Sequence, residues 1–147
     1  MDYTTIVNKY NNQIAIFKRN TYKINIDIAP IRNHLDIIIK LSDVLELSAE
    51  FRIKTKVMEI VDIKIVQCNR NHGYGSFAMS VLFELGKVLE ASEFFGTLSP
   101  IDLNDPADPS HKERIKHFYE KHGFTVDLKK RYISKTIIHQ VASSTIS

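Results

Sequence analysis

Cysteine is nearly absent from this 147-residue sequence: Cys68 stands alone. A single thiol has no internal disulfide partner and no second thiol for a metal site, which excludes the disulfide-scaffold class and fits a reducing compartment. Cys68 therefore reads as a small buried hydrophobe in or beside a strand. Long apolar runs are also missing. No stretch reaches the roughly 18 to 20 residues that cross a bilayer, and Met1-Asp2-Tyr3-Thr4-Thr5 lacks the basic-then-apolar order of a signal peptide. A cytoplasmic protein without membrane contact is expected. With 5 glycines, 4 prolines, no internal repeat and no Gly/Ser linker, nothing marks a domain boundary, so residues 1–147 read as one domain. The 44% hydrophobic and 25% charged composition excludes collagen-like and disordered classes. No sign of charge dominates either, and a net charge of +3 does not announce a nucleic-acid binder.

What charge there is lies unevenly. Between His111 and Lys135, Lys112, Arg114, Lys116, Lys121, Lys129, Lys130, Arg131 and Lys135 stand against Glu113, Glu120 and Asp127. Such a region suits an anionic cofactor, an acidic partner or a nucleic-acid backbone, although a solvated helix face is the plainer reading. No recognised nucleic-acid motif accompanies it.

Hydrophobic periodicity outlines the elements. Tyr3, Ile6, Val7, Tyr10, Ile14 and Phe17 recur at helical spacing, weakened by Asn11 and Asn12. Tyr22, Ile24, Ile26 and Ile28 alternate with polar neighbours as a half-buried strand does. Leu35 to Leu47 suits a strand through Ile37-Ile38-Ile39 and a helix through Leu41, Val44, Leu45 and Leu47. From Phe51 to Val66, Phe51, Ile53, Val57, Val61, Ile63 and Ile65 share one phase and Ile60 breaks it, which points to burial on both faces or to a β-bulge, and to a central place in a sheet. Ala78, Val81, Leu82, Leu85, Val88 and Leu89 form a helical stripe. Phe94 to Leu98 is a short β-rich run, and Pro100, Pro106 and Pro109 make residues 102–109 read as a loop. Ser110 to Glu113 spells a capping box, opening a helix that runs to about His122, with Gly123 in the left-handed C′ position. Phe124 to Val126 and Tyr132 to Val141 read as closing strands.

The chemistry centres on Arg70-Asn71-His72-Gly73-Tyr74-Gly75-Ser76, a two-glycine loop between a strand and a helix. There, backbone N–H groups converge on a point that carries the positive end of a helix dipole, so it suits phosphate. A simple tight turn is the alternative. A dinucleotide fingerprint needs a third glycine where Phe77 and Ala78 stand, and a Walker loop needs Lys-Ser or Lys-Thr after the second glycine; both fail.

What survives, Arg-x-x-Gly-x-Gly, resembles the GNAT superfamily of N-acetyltransferases. Asp62-Ile63-Lys64-Ile65 resembles the end of that family's fourth strand, Phe94 to Ser99 its fifth, and Phe118-Tyr119-Glu120-Lys121-His122-Gly123-Phe124 the ending of its fourth helix. The likeness spans about Met58 to Ile138, while the first 50 residues match poorly. It implies an α/β (α+β) fold with a mixed central sheet splayed between its fourth and fifth strands and helices on both faces. It also implies acetyl-CoA as co-substrate, no metal, an amine-bearing acceptor, no nucleic acid, and a monomer or homodimer. By position, backbone groups of Ile63 and Ile65 meet the pantetheine arm, and Arg70, Asn71, His72, Gly73, Tyr74, Gly75 and Ser76 hold the pyrophosphate.

The implied reaction is attack of a neutral amine on a thioester, which needs a base for the amine proton and an acid for the departing thiolate. Tyr119 matches a tyrosine that serves the thiolate in many members. Glu59, eleven residues before Arg70, matches a glutamate base on the fourth strand, and Asp62 is the next acidic choice. Glu59 and Asp62 equally suit cross-strand pairing with a lysine. Lys112 stands where members often carry asparagine. His72, inside the phosphate loop, and His117, on a basic helix, read as phosphate-contacting or solvated rather than basic groups, and the six histidines show no metal-ligand spacing. Two rivals share these residues: a GNAT-fold module that binds acyl-CoA without useful catalysis, and a small nucleic-acid-binding domain built on the basic stretch.

Overall fold

A computed structural model describes residues 3–17, 20–65, 73–99 and 109–137. The chain runs α1 (Tyr3–Asn11), β1 (Ile14–Phe17), β2 (Asn20–Ile31), β3 (His34–Leu41), β4 (Leu45–Arg52), β5 (Val57–Ile65), α2 (Tyr74–Val88), β6 (Glu93–Thr97), α3 (His111–Lys121), β7 (Thr125–Asp127) and β8 (Tyr132–Thr136). The strands form one sheet in the order β1-β2-β3-β4-β5-β6-β8-β7. The β5–β6 pair is parallel and the other pairs are antiparallel. Counted from β2, the parallel pair is the fourth and fifth strands.

Alternation decides which face is covered. Leu35, Ile37, Ile39 and Leu41 of β3 and Leu45, Leu47, Ala49 and Phe51 of β4 are buried, whereas Asp36, Lys40, Glu46 and Glu50 between them are not. Residues of one parity share one face, so the apolar rows are packed and the polar rows meet solvent. The ambiguous stretch Leu35 to Leu47 is thus a hairpin: Leu41 and Leu45 are a cross-strand pair and Val44 belongs to the turn.

α2 lies on the packed face through Ala78, Met79, Val81, Leu82 and Leu85, all inaccessible to solvent. α1 is fastened beside it. Lys9 pairs with Glu84 at 3.0 Å, and the Tyr10 hydroxyl donates to the same carboxylate. Burial, then that bond to an anion, push the Tyr10 phenol up to about 12. α1 stops at Asn11 because the Asn11 side chain leaves the helix for β2, accepting from the Ile26 N–H at 2.7 Å and donating to its carbonyl at 3.3 Å. Those bonds satisfy a stretch of β2 edge that β1, paired only as far as Lys23, does not reach. α3 joins the same face, since Phe83 of α2 packs against His122 and Phe124 at the α3 C-terminus. Among the described residues all three helices therefore lie on one face, and the expected covering of both faces is seen on that side alone.

The Phe51 to Val66 stretch differs from a single strand. It turns at residues 53–56, and β5 then carries a bulge: Ala49 pairs with Ile60 and Ser48 with Asp62, leaving Val61 unopposed and 51% exposed. Met58 and Ile60 fill the core, so Val57 and Val61 are the residues on the wrong side. Beyond the extra residue the phase flips, and Ile63 and Ile65 turn towards the core. At the other helix start, Ser110 forms no cap. Its backbone is already in the helical region, and its hydroxyl accepts from Arg114 at 2.7 Å. The expected capping box is not made.

Candidate active-site cleft

The β5–β6 pairing begins at Val57–Glu93 and stops at Ile60–Gly96. β5 runs on to Ile65 while β6 ends at Thr97, so the two strands part at the bulge. Gly96 sits at the fork because a Cβ there would come 3.0 Å from the Ile60 carbonyl oxygen and 3.3 Å from Ile133. The wedge opens into a cavity of about 990 Å³, at the upper end of ordinary ligand sites. Ile60 to Ile65 line one wall and Gly96 to Ser99 the other. The start of α2 (Gly73 to Ser76) closes one end, and α3 contributes His111, Arg114, Ile115, Phe118, Tyr119 and Lys121.

At the closed end, Gly73 is the N-cap of α2 with φ +87°, a left-handed conformation natural to glycine, and among the described residues no side chain caps the helix. The positive end of the α2 dipole is thus turned to this end of the cleft. Tyr74 is buried and directs its hydroxyl to that of Tyr22 at 2.8 Å, so its contribution at the cleft is its backbone. Gly75 is small for another reason than expected: a Cβ would stand 3.1 Å from the Phe118 ring, so glycine lets α3 approach α2. Ser76 places its hydroxyl 3.1 Å from His122 Nε2.

The α3 ending explains why Phe-Tyr-Glu-Lys-His-Gly-Phe is a unit. Gly123, at φ +88°, lets its N–H donate to the Glu120 carbonyl at 3.0 Å and the Phe124 N–H to the Tyr119 carbonyl at 3.0 Å, a Schellman cap. Phe124 then packs edge-on against the Tyr119 ring at 5.6 Å, with Phe118 on another side at 5.1 Å. The cap holds Tyr119 half-buried in the cleft lining.

The two acidic candidates separate. Asp62 is half-buried and lines the cleft. Glu59 is outside that lining: it lies opposite Glu50 on the uncovered face and accepts from Arg52 at 2.9 Å, while the Arg52 guanidinium lies over Phe95. The structure therefore gathers Asp62, Ile63, Ile65, Gly73, Tyr74, Gly75, Ser76 and Tyr119 around one cavity and leaves Glu59 apart. Arg70, Asn71, His72 and Cys68 lie outside the described residues. Sequence reasoning did not single out His111, Arg114 or His122 for the site. Their signal was the basic α3 segment, which gives no clue to direction. Elsewhere on the uncovered face, His34 Nε2 stands 3.0 Å from Asp36 and 3.7 Å from Glu50, where the start of β3 pairs with the end of β4.

No protein-family model and no curated protein sequence matches this chain. Solved structures do. An IAA acetyltransferase from Bacillus cereus superposes with a TM-score of 0.54 at 13% identity over 78% of this chain and 100% of that one. Naa50 of Arabidopsis thaliana, in complex with a bisubstrate analogue, gives 0.52 at 16% identity over 69% of this chain and 72% of that one. A nourseothricin acetyltransferase gives 0.51 at 17% identity over 71% of this chain and 66% of that one, so the chain spans just under two thirds of that enzyme. A further match, from Staphylococcus aureus, is itself a GNAT-family acetyltransferase.

The chain has the GNAT fold. No helix among the described residues is long and apolar enough to cross a membrane.

Proposed function

We propose that this GNAT-fold chain is an acetyl-CoA-dependent N-acetyltransferase that transfers an acetyl group to a primary amine of a small molecule, peptide or protein. One observation carries the reading: the wedge between two parallel strands ends at the glycine-started N-terminus of a helix. An extended arm needs an open strand edge, and a pyrophosphate suits the positive end of a helix dipole; the cleft offers both. Neighbouring structures of the fold hold coenzyme A or a bisubstrate analogue.

The residues fit that group. The first-turn amides of α2, with Arg70, Asn71 and His72 by sequence position, take the pyrophosphate, and the basic Arg114 and Lys121 side chains line the same cavity. The β5 backbone at Ile63 and Ile65 takes the pantetheine arm. Acetyl-CoA, when bound, supplies a thioester carbonyl for the amine to attack. Asp62 receives the amine proton, directly or through water, because it is the acid among the described residues that lines the cleft. Tyr119 gives a proton to the departing sulfur, and a phenol does so from its neutral form. Glu59, tied to Arg52, ranks behind Asp62 as the base.

Saturating acetyl-CoA is expected to raise the melting temperature by about 5–10 °C, the equivalent of about 2.7 kcal/mol at a hundredfold excess over Kd. Release of free thiol that accelerates with an added amine identifies the acceptor. Binding without amine-stimulated release identifies a non-catalytic acyl-CoA module, and no binding overturns the reading.

The loop has its own test. Gly73→Val forces a β-branched residue to φ +87°, at a cost of order 1–3 kcal/mol, and disturbs the amides that start α2. Calorimetry should show acetyl-CoA affinity lost while the circular-dichroism spectrum is retained. Undiminished affinity in the folded variant would remove this loop from the site.

A further inference from the structure

His122 stands one residue past α3, and its ring reaches the first turn of α2, with Nε2 3.1 Å from the Ser76 hydroxyl oxygen. The ring is held on several sides. Phe118 and Phe83 meet it edge-on at 5.0 and 6.2 Å between centroids. The His122 carbonyl accepts from Lys135 Nζ at 2.7 Å, and that ammonium lies 4.1 Å from the centre of the Phe83 ring. The charged groups facing His122 are both cations, Lys121 from its own helix and Lys135 from β8, while α2 presents Ser76 and Phe83. Burial first, then those two cations, hold the imidazole below its ordinary value, which favours its neutral form.

A neutral imidazole carries a lone pair or a hydrogen on Nε2. With a lone pair there, the Ser76 hydroxyl hydrogen turns to the ring, and the serine oxygen faces the cleft without a proton to donate. With a hydrogen there, Nε2 donates to the Ser76 oxygen, and the hydroxyl hydrogen is released towards the start of α2. An anion at that helix start selects the second arrangement.

We propose that His122 is a positioning residue of the cleft: it donates to Ser76 so that Ser76 donates to the anion bound at the first turn of α2. The inference rests on the reading of this cleft as a coenzyme A site. A bound phosphate group also opposes the two lysines, which favours a second proton on the ring. By linkage the coenzyme then binds more tightly as pH falls through the pKa of His122 in the complex. Phosphate esters themselves titrate near about pH 6, so the His122 contribution is the difference between the wild type and a variant lacking it.

Calorimetric titration with coenzyme A, below and above the ordinary histidine pKa of about 6.5, tests this. His122→Phe keeps the ring bulk and removes Nε2; about 10-fold weaker binding is expected, the size of one hydrogen bond to a charged group. Ser76→Ala should lose a similar amount, and the double variant should bind no more weakly than Ser76→Ala alone, because the two groups act in series. His122→Gln donates without titrating, so it should keep the affinity and lose the extra tightening at low pH. Melting temperatures of the free variants report folding separately. Losses that add in the double variant, or a folded His122→Phe that binds as the wild type does, would overturn the role of His122 and leave the coenzyme site standing. Absence of coenzyme A binding by the wild type would overturn both.

Discussion

Tyr119→Phe is expected to slow acetyl transfer about 10²-fold at saturating acetyl-CoA, with coenzyme affinity nearly unchanged. The separation between chemistry and binding follows from how the side chain is held. Its ring is clamped between Phe118 and Phe124, and its carbonyl belongs to the Schellman cap, so removing one hydroxyl disturbs neither the packing nor the helix end. On the proposed mechanism, what disappears is the proton for the leaving sulfur. An alkanethiolate then departs against water alone, and the fall in rate at high pH that the phenol causes should move or vanish as well. Steady-state rates with an accepted amine across the pH range provide the measurement. Wild-type turnover throughout would mean that Tyr119 only packs, and thiolate departure would need another donor.

The largest effect on stability is expected from Phe94→Ala, about 3–5 kcal/mol, or a melting temperature lower by about 6–20 °C. Phe94 is 2% exposed at the root of the wedge, on β6 opposite Met58. It meets Phe83 edge-on at 5.1 Å, and it presses so closely on α2 that a Cβ at Gly86 would stand 2.4 Å from its ring. Removing the ring leaves a hole between the strand that starts the fork and the helix that ends it, and neither is free to collapse. The converse change, Gly86→Ala, overpacks the same contact and should cost about 1–3 kcal/mol. Combined with Phe94→Leu, it should cost less than the sum, since the smaller side chain makes room for the added methyl. Urea unfolding of the single and double variants measures the coupling. Strict additivity would show that the two positions do not share this contact.

The elements most legible in the sequence are those whose signal is local. Alternation at Tyr22 to Ile28 gave β2 because one face of that strand meets α1 and the core and the other meets solvent. The stripe from Ala78 to Leu89 gave α2 because five of its six residues are buried against the sheet. The α3 ending could be read in full, since a left-handed glycine followed by an aromatic residue is a cap made within a few residues. The same locality explains the limits. Ser110 and Glu113 have the spacing of a capping box, yet Arg114 takes the serine hydroxyl and the Ser110 backbone is already helical. Asn11 looks like a weak helical residue because its actual partner, Ile26 on β2, lies fifteen residues away.

For the site, the sequence by itself determined that a strand, a glycine loop and a helix follow one another, that Tyr119 sits on a capped helix end, and that the region after His111 is basic. These are matters of residue type and short spacing, and short-range geometry settles them. Only the tertiary structure decided which acid faces the cleft. Glu59 and Asp62 are three residues apart, and the bulge at Val61 leaves both on one face of β5, opposite Glu50 and Ser48; Arg52 from β4 claims Glu59, whereas Asp62 lies past the last β5–β6 pair and lines the cavity. It also decided where the cleft opens, since that depends on β6 pairing with β5 for four residues and then parting at Gly96. Register between strands more than thirty residues apart is set by the packing of Met58, Ile60 and Phe94 beneath α2, and no periodicity within either strand encodes where it ends.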